Sequence, residues 1–280
     1  MRKPRTASGY EPSQVQHVRA TCLYVATKLG DLADEVVIIG GLVPSLIVDQ
    51  DHATSQHAGT LDLDLGLTLA LLDEQRYQEL AERLRQAGFT EDVNEKGKPT
   101  HQRWRIEGPP PVTVDFLIPP GNTEKKGGTV WNLEADFAAI VAPGLALAFQ
   151  NRLSIELSGK TIAGEQATRK VWVSGPGAFV VLKALAFRLR GENKDAYDLV
   201  YILREYGEGL DDVARHLSPL LEDDDAETAL TFLGEDFAEV DSVGPMRYAE
   251  FVTGGRDDDL QADAQGLVRE LLRLCNRSQS

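Results

Sequence analysis

The stretch Val36-Val37-Ile38-Ile39-Gly40-Gly41-Leu42-Val43-Pro44-Ser45, followed shortly by Thr60-Leu61-Asp62-Leu63-Asp64-Leu65, decides the reading of this chain. It runs as an apolar strand, a Gly-Gly turn, a short apolar helix, and a second strand carrying Asp-x-Asp. Side chains alternate between the faces of a strand, so Asp62 and Asp64 point one way while Leu61, Leu63 and Leu65 point into a core. Two neighbouring carboxylates with no cation of their own nearby form a site for a hard divalent cation. Mg²⁺ in particular is commonly held by one or two carboxylates together with substrate phosphates. Gly40 and Gly41 suit the same purpose: without Cβ atoms the backbone turns sharply and approaches a ligand, and its N–H groups at a helix start favour an anion.

Each feature alone has a plainer account. Gly-Gly after a strand is a tight turn, and Asp-x-Asp on an exposed face is a solvated face. A third acid shifts the balance: Asp115 in Pro111-Val112-Thr113-Val114-Asp115-Phe116-Leu117-Ile118. A carboxylate inside an apolar, β-branched run costs several kcal/mol unless it is paired or bound to metal. Three such acids on adjacent strands make a two-metal clamp.

These residues carry a resemblance. Gly40-Gly41, then His57-Ala58-Gly59-Thr60-Leu61-Asp62-Leu63-Asp64-Leu65, then Val114-Asp115-Phe116, resemble the motif of polymerase-β type nucleotidyltransferases. Ala178-Phe179-Val180-Val181-Leu182-Lys183-Ala184-Leu185-Ala186, Arg188 and Lys194-Asp195-Ala196-Tyr197-Asp198-Leu199 resemble the second half of the AbiEii branch, the toxin nucleotidyltransferases of type IV-like toxin–antitoxin systems often met in phage defence. The likeness covers roughly residues 35 to 205. It departs where many members carry an arginine ahead of the acidic pair and this chain has His57 and Ala58.

The resemblance implies transfer of a nucleoside monophosphate from a nucleoside triphosphate to an acceptor hydroxyl, with release of pyrophosphate. Asp62 and Asp64 would hold Mg²⁺ or Mn²⁺ on the triphosphate, Gly40, Gly41 and Ser45 would cradle it, and Asp115 would complete a second metal position and draw the acceptor proton. Two cations about 3.5–4 Å apart stabilise both the attacking and leaving oxygens of such a displacement. The implied acceptor is the 3′ end of a tRNA, with a separate antitoxin protein as partner. A small-molecule acceptor, as in aminoglycoside nucleotidyltransferases, and a catalytically silent module of the same fold are the alternatives.

Lys183 sits in a helix that is apolar nearly all round, where its ammonium either snorkels to the rim or meets an anion. The family resemblance assigns it to the nucleotide phosphates. Asp195 and Asp198 lie three apart on one face at the next helix start, where they cap the helix or support Lys183 and the site.

A net charge of −15 opposes phosphate-backbone binding by the chain as a whole. The acids crowd the last third, in Glu222-Asp223-Asp224-Asp225, Glu235-Asp236 and Asp257-Asp258-Asp259. The bases gather elsewhere: Lys96, Lys98, His101, Arg103 and Arg105, Lys125 and Lys126, Arg169 and Lys170, Arg188, Arg190 and Lys194. An RNA is therefore expected to approach near Lys96, Lys98, Arg103 and Arg105, although any one cluster is equally read as a solvated face. No run of about 18 apolar residues exists to span a bilayer. The basic start Met1-Arg2-Lys3-Pro4-Arg5 lacks the apolar segment of a secretory signal. Cys22 and Cys275, alone and near opposite ends, read as thiols of a cytoplasmic protein.

The expected fold class is α/β (α+β): a mixed-sheet nucleotidyltransferase lobe over 1–140, then a mostly helical lobe over 141–280 that contributes to the nucleotide site. The pattern predicts helices over 12–30, 42–49 and from an N-cap at Asp73, where Tyr77, Leu80, Leu84 and Ala87 share a face ending at Gly88. Strands are expected over 35–39, 101–107 and 112–118, the last two joined by Gly108-Pro109-Pro110-Pro111. Short β-like runs follow at 152–157 and 169–173, then helices from Pro176 and over 193–206, 210–221, 225–233 and 258–275. Gln50 to His57 has no periodicity and reads as a mobile loop beside the site.

Overall fold

A computed structural model describes residues 3–68, 74–108, 110–121, 127–134 and 136–278. The expected N-cap Asp73, the basic pair Lys125-Lys126, Pro109 and the first two residues of the basic start lie outside the described residues. The fold is α/β, with a mixed sheet and many helices, and the chain forms two compact units. The sheet unit comprises Pro12–Val43 and Gly59–Ser174; the helical unit comprises Met1–Glu11, Pro44–Ala58 and Gly175–Ser280.

In the sheet unit, α1 (Pro12–Leu29) ends at Gly30, whose φ of +59° favours glycine. The strand β1 (Val36–Ile39) leads through the Gly40–Leu42 turn into α2 (Val43–Ile47), which belongs to the helical unit from Pro44 onward. Then come β2 (Asp62–Leu67), α3 (Glu74–Gln86), β3 (Thr90–Val93), β4 (Pro99–Ile106) and β5 (Val112–Ile118). The unit closes with β6 (Val130–Glu134), β7 (Phe137–Val141), α4 (Leu145–Gln150), β8 (Arg152–Lys160) and β9 (Gln166–Ser174).

Among the described residues these nine strands form one sheet, ordered β3-β4-β5-β2-β1-β9-β8, with β7 pairing β5 and β6 pairing β7. The central pairs β2–β5 and β1–β9 are parallel, while β1–β2 and β4–β5 are antiparallel. On one face Leu63, Leu65, Val114, Phe116 and Trp104 are buried, and α1 packs against β2, β5, β8 and β9. Phe116, Trp104 and Tyr77 of α3 each contact Phe137 of β7. This apolar face anchors the sheet, so the alternate residues of β2 and β5 are carried on the other.

Several elements departed from the sequence pattern. The strand β7 is the continuous run Phe-Ala-Ala-Ile-Val, buried at all but one position. It lacks the alternation that marks a half-buried strand. Its partner β6 follows from it, and the two short runs at 152–157 and 169–173 are the paired ends of one hairpin of two nine-residue strands.

In the helical unit, α5 (Pro176–Arg190), α6 (Asn193–Glu205), α7 (Leu210–Leu217), α8 (Asp224–Asp236), α9 (Val243–Thr253) and α10 (Asp258–Ser278) pack around α5 and α6. Proline in the first turn of α5 starts it without losing a backbone bond. A Cβ on Gly177 would lie 2.4 Å from the His216 carbonyl oxygen, so only glycine lets α5 meet the end of α7 this closely. The helix α9 went unread because its start, Val243-Gly244-Pro245, looks like a turn. Proline is tolerated there because first-turn N–H groups have no intrahelical acceptor.

Candidate metal centre and buried ion network

The sheet register assembles the candidate site. Asp64 of β2 lies beside Asp115 of β5, and Asp115 lies beside Arg103 of β4. Asp62, two residues before Asp64, shares its face. The carboxylates of Asp62, Asp64 and Asp115 each offer an oxygen, and these lie within 4.8 Å of one another. Asp62 and Asp115 are buried and Asp64 is partly exposed, so the cluster opens to one side. Thr60 Oγ1 donates to Asp62 Oδ1 at 2.8 Å and orients it. Three convergent carboxylates, all oxygen donors, fit a hard divalent cation by both spacing and chemistry.

Gly40 shapes the cluster from the turn that follows the neighbouring strand β1. Its φ is +71°, and a Cβ built on it would fall 1.9 Å from Asp64 Oδ2 and 2.7 Å from its Cγ. Glycine is needed here for a left-handed backbone and for the space that Asp64 occupies. Gly41 is buried behind it.

Sequence reasoning missed the role of Arg103. It donates from Nε to Asp115 Oδ1 and from Nη2 to Asp115 Oδ2, both at 2.6 Å, a bidentate pairing with a carboxylate only 6% exposed. Asp115 raises the guanidinium pKa above its ordinary value, and Asp62 and Asp64 add to that. The paired arginine is how the fold accommodates an acid inside an apolar strand. The available signal was the turn: the hairpin length from β4 to β5 puts 103 opposite 115 once Ile106 faces Val112.

The expected RNA approach near Arg103 and Arg105 meets a different arrangement. Arg103 is held by Asp115, while Arg105 lies 3.7 Å from Asp92 and 2.8 Å from Glu107. His101 pairs with Glu91 at 2.8 Å. Lys96 and Lys98 remain exposed in the β3–β4 turn, where Asn94 accepts from their backbone N–H groups. Carboxylates thus offset most of this basic group, which weakens it as a phosphate track.

The helical unit holds the other residues singled out by sequence. Ser45 is half-buried in α2. Lys183 does not snorkel: it is buried, and its ammonium donates to Asp195 Oδ1 at 3.0 Å and Asp198 Oδ2 at 2.6 Å. The anions it needs come from the start of α6. Arg190 chelates Asp195 from Nε at 2.6 Å and Nη2 at 2.8 Å, and Lys194 Nζ reaches Asp198 Oδ1 at 2.6 Å.

The resulting network holds three cations against two carboxylates. Burial works against the Lys183 charge, yet Asp198 and Asp195 outweigh it and hold the ammonium above its ordinary pKa. Lys194, with burial and Lys183 both opposing its charge, is held below. Burial would raise Asp198, but Lys183, Lys194 and a hydrogen bond from His57 drive it well below the ordinary carboxylate range.

His57 is buried and bonded through Nε2 to Asp198 Oδ1 at 2.9 Å. Burial depresses its pKa to about 4 despite Asp198, so it is neutral near pH 7, with Nε2 the donor to an ionised acceptor. Tyr197 stacks on its ring and Tyr201 meets it edge-on.

The segment read as a mobile loop is tied to α6. Glu205 accepts from Thr54 N at 2.7 Å, Thr54 Oγ1 at 2.5 Å and Ser55 Oγ at 3.1 Å. Tyr201 donates to the Ser55 carbonyl, and Tyr197 accepts from Ala58 N. Absent periodicity marks irregular backbone; it says nothing of side chains 150 positions away that hold it.

Both cysteines are buried free thiols, Cys22 with its pKa raised by burial to about 12 and Cys275 to about 11. Among the described residues no helix is long and apolar enough to cross a membrane.

No protein-family model matches the chain, and no curated protein matches it. Among solved structures it is similar to an antigenic nucleotidyltransferase-like protein from Paracoccidioides brasiliensis, with 16% sequence identity and a TM-score of 0.44 over 81% of this chain and 92% of that one.

Proposed function

We propose that this chain is a divalent-metal-dependent nucleotidyltransferase that moves a nucleoside monophosphate from a nucleoside triphosphate to an acceptor hydroxyl. The observation that carries the reading is the convergence of Asp62, Asp64 and Asp115 on one sheet face, with oxygens within 4.8 Å. Asp62 and Asp64 would hold Mg²⁺ or Mn²⁺, and Asp115 would complete a second metal position. When bound, such a cation supplies positive charge to the triphosphate and to the departing pyrophosphate. Gly40 keeps the space beside Asp64 clear, and Thr60 fixes the Asp62 carboxylate. Gly41 is proposed as a nucleotide contact. Chemistry of this kind needs positioning and charge neutralisation rather than a protein nucleophile.

For the acceptor, the resemblance of the second half to the toxin branch favours a tRNA 3′ end and a cognate antitoxin partner. The net charge of −15 and the pairing of Arg103 and Arg105 with acids favour the second reading, a small-molecule acceptor.

One assay separates them: incubation with each labelled nucleoside triphosphate and Mg²⁺ against total RNA, total protein and aminoglycosides. Asp62→Ala and Asp64→Ala should abolish turnover while the protein stays folded, and undiminished activity in the double variant would end the nucleotidyltransferase reading. If the chain is a toxin, expressing it alone should arrest bacterial growth, and Asp62→Ala should restore growth at equal protein level. Normal growth together with labelling of a small molecule would select the second reading.

A further inference from the structure

Asp115 enters the acidic cluster already chelated, both of its oxygens engaged by Arg103 at 2.6 Å. The Arg103 side chain is 39% exposed while that of Asp115 is 6% exposed, so the guanidinium reaches in from the solvent side over a buried carboxylate. Between them, these three carboxylates and the guanidinium carry a formal charge of −2. A carboxylate offers about four lone-pair positions, and a bidentate arginine takes the two that face it. A dication drawn to the remaining positions of Asp115 is repelled by the guanidinium a few ångströms away.

We infer that Arg103 is a resident counter-cation of the cluster. While it holds Asp115 the site takes one divalent cation, on Asp62 and Asp64, and a second binds only when Arg103 releases Asp115. This rests on the metal-binding reading above and adds a role for a residue that neither the motif nor its spacing singles out. Arg103 acts through Asp115 and is a positioning residue.

The test is Mn²⁺ binding to the full chain without nucleotide, followed by the electron paramagnetic resonance signal of free Mn²⁺. The parent should bind one Mn²⁺ per chain. Arg103→Met should bind a second, or bind the first about tenfold more tightly, and Arg103→Lys, which keeps the charge but not the chelate, should fall between. Asp115→Asn, which leaves the Arg103 guanidinium without its carboxylate beside Asp62 and Asp64, should gain no second site and bind the single Mn²⁺ more weakly. Because Arg103→Met leaves a buried carboxylate unpaired, it should melt lower than the parent without metal and recover more than the parent does when Mn²⁺ is added. If it does not fold, Arg103→Lys carries the comparison. Two Mn²⁺ on the parent, or Arg103→Met with unchanged or weaker binding, would overturn the role of Arg103 while leaving the metal site standing. No Mn²⁺ on any variant would overturn the metal site, and the role of Arg103 with it.

Discussion

Gly40 and Asp64 lie so close across β1 and β2 that a methyl group on the glycine would come within 1.9 Å of the Asp64 carboxylate. The turn residue and the acid of the second strand are one feature: the missing side chain of the first is the room for the second.

Gly40→Ala should therefore be costly twice. A left-handed backbone costs a non-glycine residue about 1–2 kcal/mol, and the clash adds to it. In the double variant Gly40→Ala/Asp64→Ala the contacts with the carboxylate are gone, while the 2.9 Å contact with Cβ of residue 64 and the backbone cost remain. Urea unfolding of the four-member cycle should show a favourable coupling between the two changes. Additive losses would mean that Asp64 moves aside freely.

Lys183→Met should destabilise the helical unit, because it leaves Asp195 and Asp198 buried with one cation fewer. Breaking a buried pair typically costs about 3–5 kcal/mol. The two acids lie on another helix, outside helical spacing from Lys183, so the pairing forms only when α5 packs on α6. A shift of the urea midpoint worth less than about 1 kcal/mol would show that Arg190 and Lys194 satisfy the two acids unaided.

Stability should fall in acid in two steps. His57 has a folded pKa of about 4 against an ordinary 6.5, so the unfolded chain takes up its proton first as pH drops. The stability its neutral form contributes is complete above pH 6.5 and is lost as pH falls towards 4, on the order of 3 kcal/mol. Asp198 and Asp195, both lowered from 3.8, add a further loss below that value. Thermal melts from pH 7 to 4.5 should decline for the parent. They should stay flatter for His57→Asn, which keeps a neutral donor and does not titrate; equal slopes would remove His57 as the cause.

Glu205→Ala should release the segment around Thr54 and Ser55 without unfolding α6. Hydrogen exchange of the Thr54 amide, which donates to Glu205, should accelerate while amides in the middle of α6 keep their protection. Unchanged exchange at Thr54 would assign the anchoring to Tyr197 and Tyr201.

What the sequence determined by itself is what local periodicity encodes. Alternation places Leu63 and Leu65 on one face of β2 and Asp62 and Asp64 on the other. The apolar run of 112–118 makes Asp115 a strand residue in need of a partner, and the apolar surroundings of Lys183 leave its ammonium either to snorkel or to meet an anion. Each statement concerns neighbours along the chain, within reach of one turn or one pleat. Which group answers each need was decided by the tertiary structure. Strand register sets Arg103 beside Asp115, and the packing of α5 on α6 brings Asp195 and Asp198 to Lys183. Closure of the helical unit carries His57 to Asp198 across 141 positions of sequence. A residue's pattern announces that a charge will be buried, but its partner is fixed by registers and helix contacts that form only when distant segments pack, and those leave no local signature.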